Sequence, residues 1–164
     1  MNKQELQNEI NKTKEHLANM EKMLAECEHK RWKPTRHQEY WFVDDRSQIY
    51  ECTFVPEDED DSKRYETYNC FQTREQAEQE AENILVRRML EDIARRLNKG
   101  ENLDWSNNSQ CKYYLYLWLG EELEQHIASV RLIQGVVYCL DENFKDVAIE
   151  EIGEQRLKKY LRGE

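Results

Sequence analysis

Residues 68–100 read "YNCFQTREQAEQEAENILVRRMLEDIARRLNKG", and this stretch carries the clearest helix signal of the chain. Thr73 is a favourable N-cap, and Gln76 follows at the spacing of a capping box. Gly100 comes directly after Lys99 and predicts the end of the helix. The pattern therefore predicts one long amphipathic helix, whose buried side consists of Ala77, Ala81, Ile84, Leu85, Ile93 and Leu97.

Arginines and acids alternate along the same helix at a spacing of i, i+4, where opposite charges pair. We interpret this side as a solvated, self-paired face rather than an RNA-binding stripe. The two series are Arg87–Glu91–Arg95 and Arg88–Asp92–Arg96.

Aromatic and β-branched runs lie on both sides of the helix. "EYWFV" and "QIYECTF" flank a polar turn before it, and "YYLYLW" and "EQHIASV" follow it, which is typical of two β-hairpins. Each pair leads through a short extended run into a helix. We predict an α+β fold with a tandem β-β-(β)-α globular domain and an antiparallel sheet over residues 39–164. The possible duplicated units are 39–99 and 111–162.

The first thirty residues contain no Gly or Pro and carry a heptad pattern. Apolar residues recur at the a and d positions, which predicts a long N-terminal coiled-coil helix over residues 1–30 and a homodimer. The alternative is a single amphipathic helix docked on its own domain. The dimerisation residues of the coiled coil would be Leu6, Ile10, Leu17, Met20, Leu24 and Cys27.

The stretch "EHKRWKPTRHQEYW" (28–41) combines cations with aromatic residues. Pro34 disfavours helix before it and ends the first segment. We interpret residues 31–38 as a basic hinge between the helix and the globular domain. The alternative is a nucleic-acid contact, in which bases would stack on tryptophan. It would use Lys30, Arg31, Trp32, Lys33 and Arg36.

Five consecutive acids follow Pro56 in "VPEDEDDSKR" (55–64). Because like charges repel, we expect a solvated loop here rather than regular structure. The functional interpretation is an acidic finger that imitates phosphates and occupies a basic cleft; a flexible hairpin extension is the alternative. With nearby acids, the predicted partner-binding residues are Asp44, Asp45, Glu51, Glu57, Asp58, Glu59, Asp60 and Asp61.

The net charge of −10 disfavours a general nucleic-acid binder and suits a basic protein partner. No apolar run is long enough to span a membrane, and the N-terminus lacks the apolar core of a secretory signal. The five cysteines are scattered, so we expect reduced thiols in a cytoplasmic protein.

Motifs for catalysis and for cofactors are missing from the sequence. It has no glycine-rich phosphate loop, no H-E-x-x-H and no C-x-x-C, so we expect no cofactor, no metal and no enzyme activity. Cys111 with His126 is the only pair worth naming for nucleophilic catalysis, and no third residue to orient the histidine is apparent. Catalytic residues are therefore not assigned.

Several stretches resemble a family of small proteins encoded by phages and prophages of Firmicutes. They are "YWFVDDRSQIYE", "NCFQTREQAEQEAENI", "LDWSNNSQCKYYLY" and "VAIEEIGEQRLKKYL", and together they cover most of residues 38–162. The family is usually recorded without a function. The resemblance implies a phage origin and no activity, and "CLDEN" departs from the small-residue cap of similar proteins.

Two functional hypotheses follow. In the first, the protein binds and inhibits a bacterial host-defence protein, such as a basic nuclease or effector, in the host cytoplasm. It would act as a DNA mimic, and it resembles anti-CRISPR proteins in size and charge. In the second, it is a nucleic-acid-associated phage regulator or replication accessory that uses residues 30–41. A structural or assembly adaptor is also compatible with the sequence.

Overall fold

The structure is a computed structural model that describes residues 12–14, 17, 20, 31–128, 133 and 135–163. Two β-hairpins and four helices are arranged along residues 31–163 of the described chain. In order they are β1 (Glu39–Val43), β2 (Ile49–Thr53), α1 (Glu59–Glu66), α2 (Arg74–Leu97), β3 (Tyr113–Trp118), β4 (Glu122–Ile127), α3 (Phe144–Ile152) and α4 (Glu154–Arg162).

Helix α2 is the central element, and its start is the one that the sequence predicts. The Thr73 hydroxyl accepts a hydrogen bond from the Gln76 N–H, and the Gln76 side chain accepts one from the Thr73 N–H, both at 3.3 Å. The predicted buried side is wrong at Leu85, which is 42% exposed. The buried residues are Ala77, Ala81, Val86, Leu90, Ile93 and Ala94.

The N-terminal part of α2 supports the first hairpin, in which β1 and β2 pair antiparallel. Side chains alternate across the sheet, so the two faces of the hairpin have different partners. One face packs against Ala77 and Ala81 of α2 and contains Trp41, Val43 and Ile49. The opposite face is also covered, in a cluster of Tyr40, Phe54 and Cys70 with Trp32, Phe42, Cys52 and Tyr65.

The C-terminal part of α2 supports the second hairpin and the last two helices. Leu115 of β3 and Leu123 of β4 are buried on the inner face of this hairpin. They join the main core, which also contains Val86, Leu90, Ile93, Ala94, Cys139, Phe144, Ala148, Ile152 and Leu157.

The two halves share one further pairing. The extended run before α2 makes a single antiparallel bridge to β1, between Phe71 and Trp41, and the run before α3 makes the same kind of bridge to β3, between Cys139 and Tyr113. In each half, the extended run before the helix, which we call the third segment, therefore lies beside the first strand of its hairpin. Whether the halves arose by duplication stays a prediction.

The predicted architecture is wrong in two respects. First, the strands do not form one antiparallel sheet: they form two separate two-stranded sheets, because helix α2 lies between the hairpins and each third segment is limited to one bridge. Second, the long N-terminal coiled-coil helix is not seen: only residues 12–14, 17 and 20 of the first thirty are described, and these are helical. Helix α2, which packs against both hairpins, is the long helix of the described chain.

The expected acidic loop is also wrong, because helix α1 begins within it. The Asp58 carboxylate caps the helix by accepting hydrogen bonds from the N–H groups of Asp60 and Asp61, at 2.9 and 3.1 Å. Acids in a first turn and cations in a last turn both complement the helix dipole, and Lys63 and Arg64 supply the cations. The charges are thus arranged to favour a helix.

No described helix has the length and apolarity needed to cross a membrane.

Candidate protein-binding surfaces

The predicted acidic residues fall into two groups at opposite ends of the first hairpin. Asp44 begins the β1–β2 turn, and its carboxylate accepts hydrogen bonds from the N–H groups of Arg46 and Gln48, at 2.9 and 2.7 Å. Asp45 is exposed beside it. Glu57–Asp61, which we name the acidic turn, follows the other end of β2. The five-residue strands place about 17 Å between the groups, with the exposed Glu51 between them.

Asp61 is a buried structural residue. Its side chain is 4% exposed and its carboxylate accepts hydrogen bonds from the Tyr40 hydroxyl at 2.6 Å and from the Val55 N–H at 2.7 Å. Arg64 Nη1 donates to the same carboxylate at 3.1 Å and to the Tyr40 hydroxyl at 3.0 Å. Burial, together with the hydrogen bond to Asp61, raises the pKa of Tyr40 above its ordinary value of 10.0. This network fixes α1 on the first hairpin.

The other members of the acidic turn differ in how much of their charge faces solvent. Glu57 forms an ion pair with Arg36, and Asp58 caps α1. Glu59 and Asp60 are exposed, and neither side chain forms an ion pair with another described residue. These two carboxylates are therefore the ones available to an external cation.

Arg31 of the basic hinge is engaged within the protein. The Arg31 guanidinium lies 3.9 Å from the ring centroids of both Tyr65 and Tyr68, and it donates a hydrogen bond to the Tyr65 carbonyl. Lys33 lies 4.9 Å from the Tyr65 ring, and Trp32 packs against the Tyr40 cluster. Lys30, the remaining cation of the predicted nucleic-acid contact, lies outside the described residues. Arg31 is thus held between two tyrosine rings, whereas Lys33 remains exposed.

The arginines of α2 are mostly paired within the helix. Arg87 pairs with Glu91, and both Arg95 and Arg96 pair with Asp92. Arg88 departs from its expected series and donates instead to the Asp45 carbonyl and the Ser47 hydroxyl.

Two of the six predicted dimerisation residues are among the described residues. Leu6, Ile10, Leu24 and Cys27 lie outside the described residues. Leu17 and Met20 are described, and they are 56% and 53% exposed.

The outer face of the second hairpin carries aromatic residues and acids that the sequence analysis did not assign to a site. We name it the aromatic hairpin face. Tyr114 and Tyr116 are partly buried, and Trp118 is 54% exposed. His126 lies 5.8 and 6.0 Å from the two tyrosine rings. Its members, which share one side of the antiparallel register, are Tyr114, Tyr116, Trp118, Glu122, Glu124 and His126.

The hairpin ends in an exposed apolar tip next to this face. Leu119 is 86% exposed and has a positive φ of 50°, a conformation that is unfavourable for leucine. Gly120 follows with a φ of 77°, and the Glu121 N–H donates to the Trp118 carbonyl at 3.1 Å. A signal for this surface was present in the alternation of "YYLYLW", which places three aromatic residues on one side of a strand.

Both members of the pair considered for nucleophilic catalysis, Cys111 and His126, are exposed to solvent. His126 lies beside the rings of Tyr114 and Tyr116, and its Nδ1 lies 2.8 Å from the Ile127 carbonyl oxygen. Burial raises the pKa of Cys70 to about 11 and also raises the pKa of Cys139, so these thiols are poor nucleophiles. Within the described ranges, no three His, Cys, Asp or Glu residues are grouped to hold a metal ion.

Comparisons with protein-family models, curated proteins and solved structures found no match to this chain.

Proposed function

We propose that this protein acts by binding a basic protein partner and not by catalysis. The observation that carries the proposal is the contrast between its charges. The arginines at 31, 36, 64, 74, 87, 95, 96 and 156 stack on rings or pair with acids inside the protein, whereas Glu59 and Asp60 stand exposed without a cation. The two carboxylates of the acidic turn that face solvent are thus not neutralised by an ion pair with another described residue.

Such a surface favours partners whose own function requires positive charge. Proteins that bind nucleic acids present basic channels, and exposed carboxylates can occupy the positions of phosphates. We propose a nucleic-acid-binding protein of a bacterial defence system as the partner, in the cytoplasm of a phage host. Long-range attraction of this kind accelerates association and weakens as salt is added.

The experiment compares capture by matched variants. The protein, an E59Q/D60N variant and an E101Q/E150Q control are immobilised and exposed to lysate from Firmicutes cells. Both variants lose the same charge from exposed positions, but only the first alters α1. We expect the unmodified protein and the control to retain basic nucleic-acid-binding proteins that are released by added duplex DNA, and E59Q/D60N to retain less of them. If no basic protein is captured, or if DNA releases none, the proposal is wrong.

A further inference from the structure

The aromatic hairpin face has a counterpart in the first half of the molecule. The single bridges Trp41–Phe71 and Tyr113–Cys139 fix a common register for the two hairpins. Trp41 then corresponds to Tyr113, so the next residue along each strand, Phe42 or Tyr114, points to the outer face of its hairpin. The two outer faces can therefore be compared position by position.

In the first half, arginine covers this face. The guanidinium carbon of Arg64 lies 3.9 Å from the centroid of the Phe42 ring, while its Nη1 donates to the buried carboxylate of Asp61. Guanidinium groups stack on aromatic faces and pair with carboxylates at the same time, which lysine does less well. The first half thus uses an arginine of its own chain to combine a ring with an acid.

In the second half, the corresponding aromatic residues have no such cover from the described part of the chain. None of the cation–ring contacts of the described residues involves Tyr114, Tyr116 or Trp118, and Arg162, the arginine at the tip of this hairpin, donates to the Gly120 carbonyl at 3.0 Å. Glu122 lies opposite Trp118 on the neighbouring strand and forms no ion pair with another described residue. Glu124, the next acid on the same face, forms an ion pair with Lys145, with 3.4 Å between Lys145 Nζ and Glu124 Oε2. Rings and an unpaired carboxylate are therefore presented together.

We propose that the aromatic hairpin face binds an arginine-bearing segment of a partner protein. The guanidinium stacks on Tyr116 and Trp118, which lie about 7 Å apart along one side of β3, and it pairs with Glu122. The exposed Leu119 at the tip supplies an apolar contact beside it. The inference rests on the proposed function, and it adds the site and the side chain that the site selects.

The test uses three short peptides that differ in one side chain. Arginine–glycine, lysine–glycine and citrulline–glycine repeats are titrated into ¹⁵N-labelled full-length protein at low salt. The indole N–H signals are assigned with single Trp→Phe variants. We expect the arginine peptide to shift the Trp118 indole signal and to bind more tightly than the lysine peptide, and we expect the uncharged citrulline peptide to bind most weakly.

Variants then locate the binding energy. Because a cation over an indole ring contributes appreciably, W118A should weaken arginine-peptide binding by about 3- to 30-fold. E122Q keeps the shape of the side chain and should weaken binding by about 3-fold, as expected for a partly exposed charge pair. E101Q, which removes an exposed charge outside the face, should leave the affinity unchanged.

Each outcome has a different consequence. Loss of binding in W118A and E122Q, but not in E101Q, supports the inference. If the arginine peptide binds equally to all of these variants and weakens with E59Q/D60N, the aromatic hairpin face is not the site, while the proposed function stands. If no peptide binds even at low salt, the inference fails, whereas the proposed function is decided separately by the capture experiment.

Discussion

Substitution of Asp61 should be the most damaging change among the acids of the acidic turn. In D61A the Tyr40 hydroxyl and the Val55 N–H lose the acceptor to which they donate at 2.6 and 2.7 Å, and Arg64 loses its carboxylate partner. Tyr40 is fully buried, so water cannot replace that acceptor without rearrangement. Removing one partner of a buried charged pair typically costs about 3–5 kcal/mol. We expect a loss of about 4 kcal/mol in the free energy of unfolding.

Urea unfolding followed by tyrosine and tryptophan fluorescence measures this loss. With a denaturant slope of about 2 kcal/mol per molar urea, the midpoint of D61A should fall by about 2 M. D61N retains one oxygen for the Val55 N–H and should lie between D61A and the unmodified protein.

D60A is the matched control, because Asp60 is adjacent in sequence but exposed. It loses only a favourable interaction with the helix dipole and should cost less than about 1 kcal/mol. Equal midpoints for D61A and D60A would refute the reasoning, since exposure and hydrogen bonding would then not distinguish the two carboxylates.

Three further predictions concern other parts of the molecule. Leu119→Gly should remove the strain of a positive φ and, after the entropy of glycine is subtracted, raise stability by up to about 1 kcal/mol; a lower thermal midpoint by calorimetry would contradict this. Iodoacetamide at about pH 8 should alkylate the exposed Cys111 in the native protein and leave Cys70 unmodified until the protein is denatured, as peptide mass spectrometry can test. The hydrogen bond from Arg156 lowers the pKa of Glu82 below its ordinary value of 4.5, so this pair contributes stability above pH 4.5 and loses it as the pH falls through the folded-state value. E82Q should therefore reduce the decline in stability below that pH, and an unchanged pH dependence in urea titrations would exclude the contribution.

Local sequence signals were sufficient to predict an element where the residues that specify it lie close together in the chain. The capping box at Thr73 and Gln76 depends on residues three positions apart, and it fixed the start of α2. The aromatic and β-branched runs likewise indicated both hairpins. The arrangement of these elements could not be predicted from the sequence in the same way, because a single bridge beside β1 or β3 leaves no distinct pattern in it.

The prediction of a solvated loop at the acidic turn was wrong for a different reason. Counting five acids emphasised their mutual repulsion and overlooked that Asp58 is a good N-cap residue and that Lys63 and Arg64 lie one turn further along. The burial of Asp61 depends on Tyr40, which is distant in sequence, so no local pattern reveals it. For the aromatic hairpin face, alternation identified which residues share a side, but tyrosines and leucines on opposite sides of β3 are both apolar enough to be buried.

The shared helix α2 has a consequence for how the molecule unfolds. Its first turns complete the packing of one hairpin, and its last turns complete the packing of the other. Its 24 residues form one uninterrupted rod of about 36 Å. Neither half can therefore melt without exposing part of the helix that the other half needs, and heating should produce a single cooperative transition. Backbone amides midway along this rod should exchange with deuterium only when the entire chain opens.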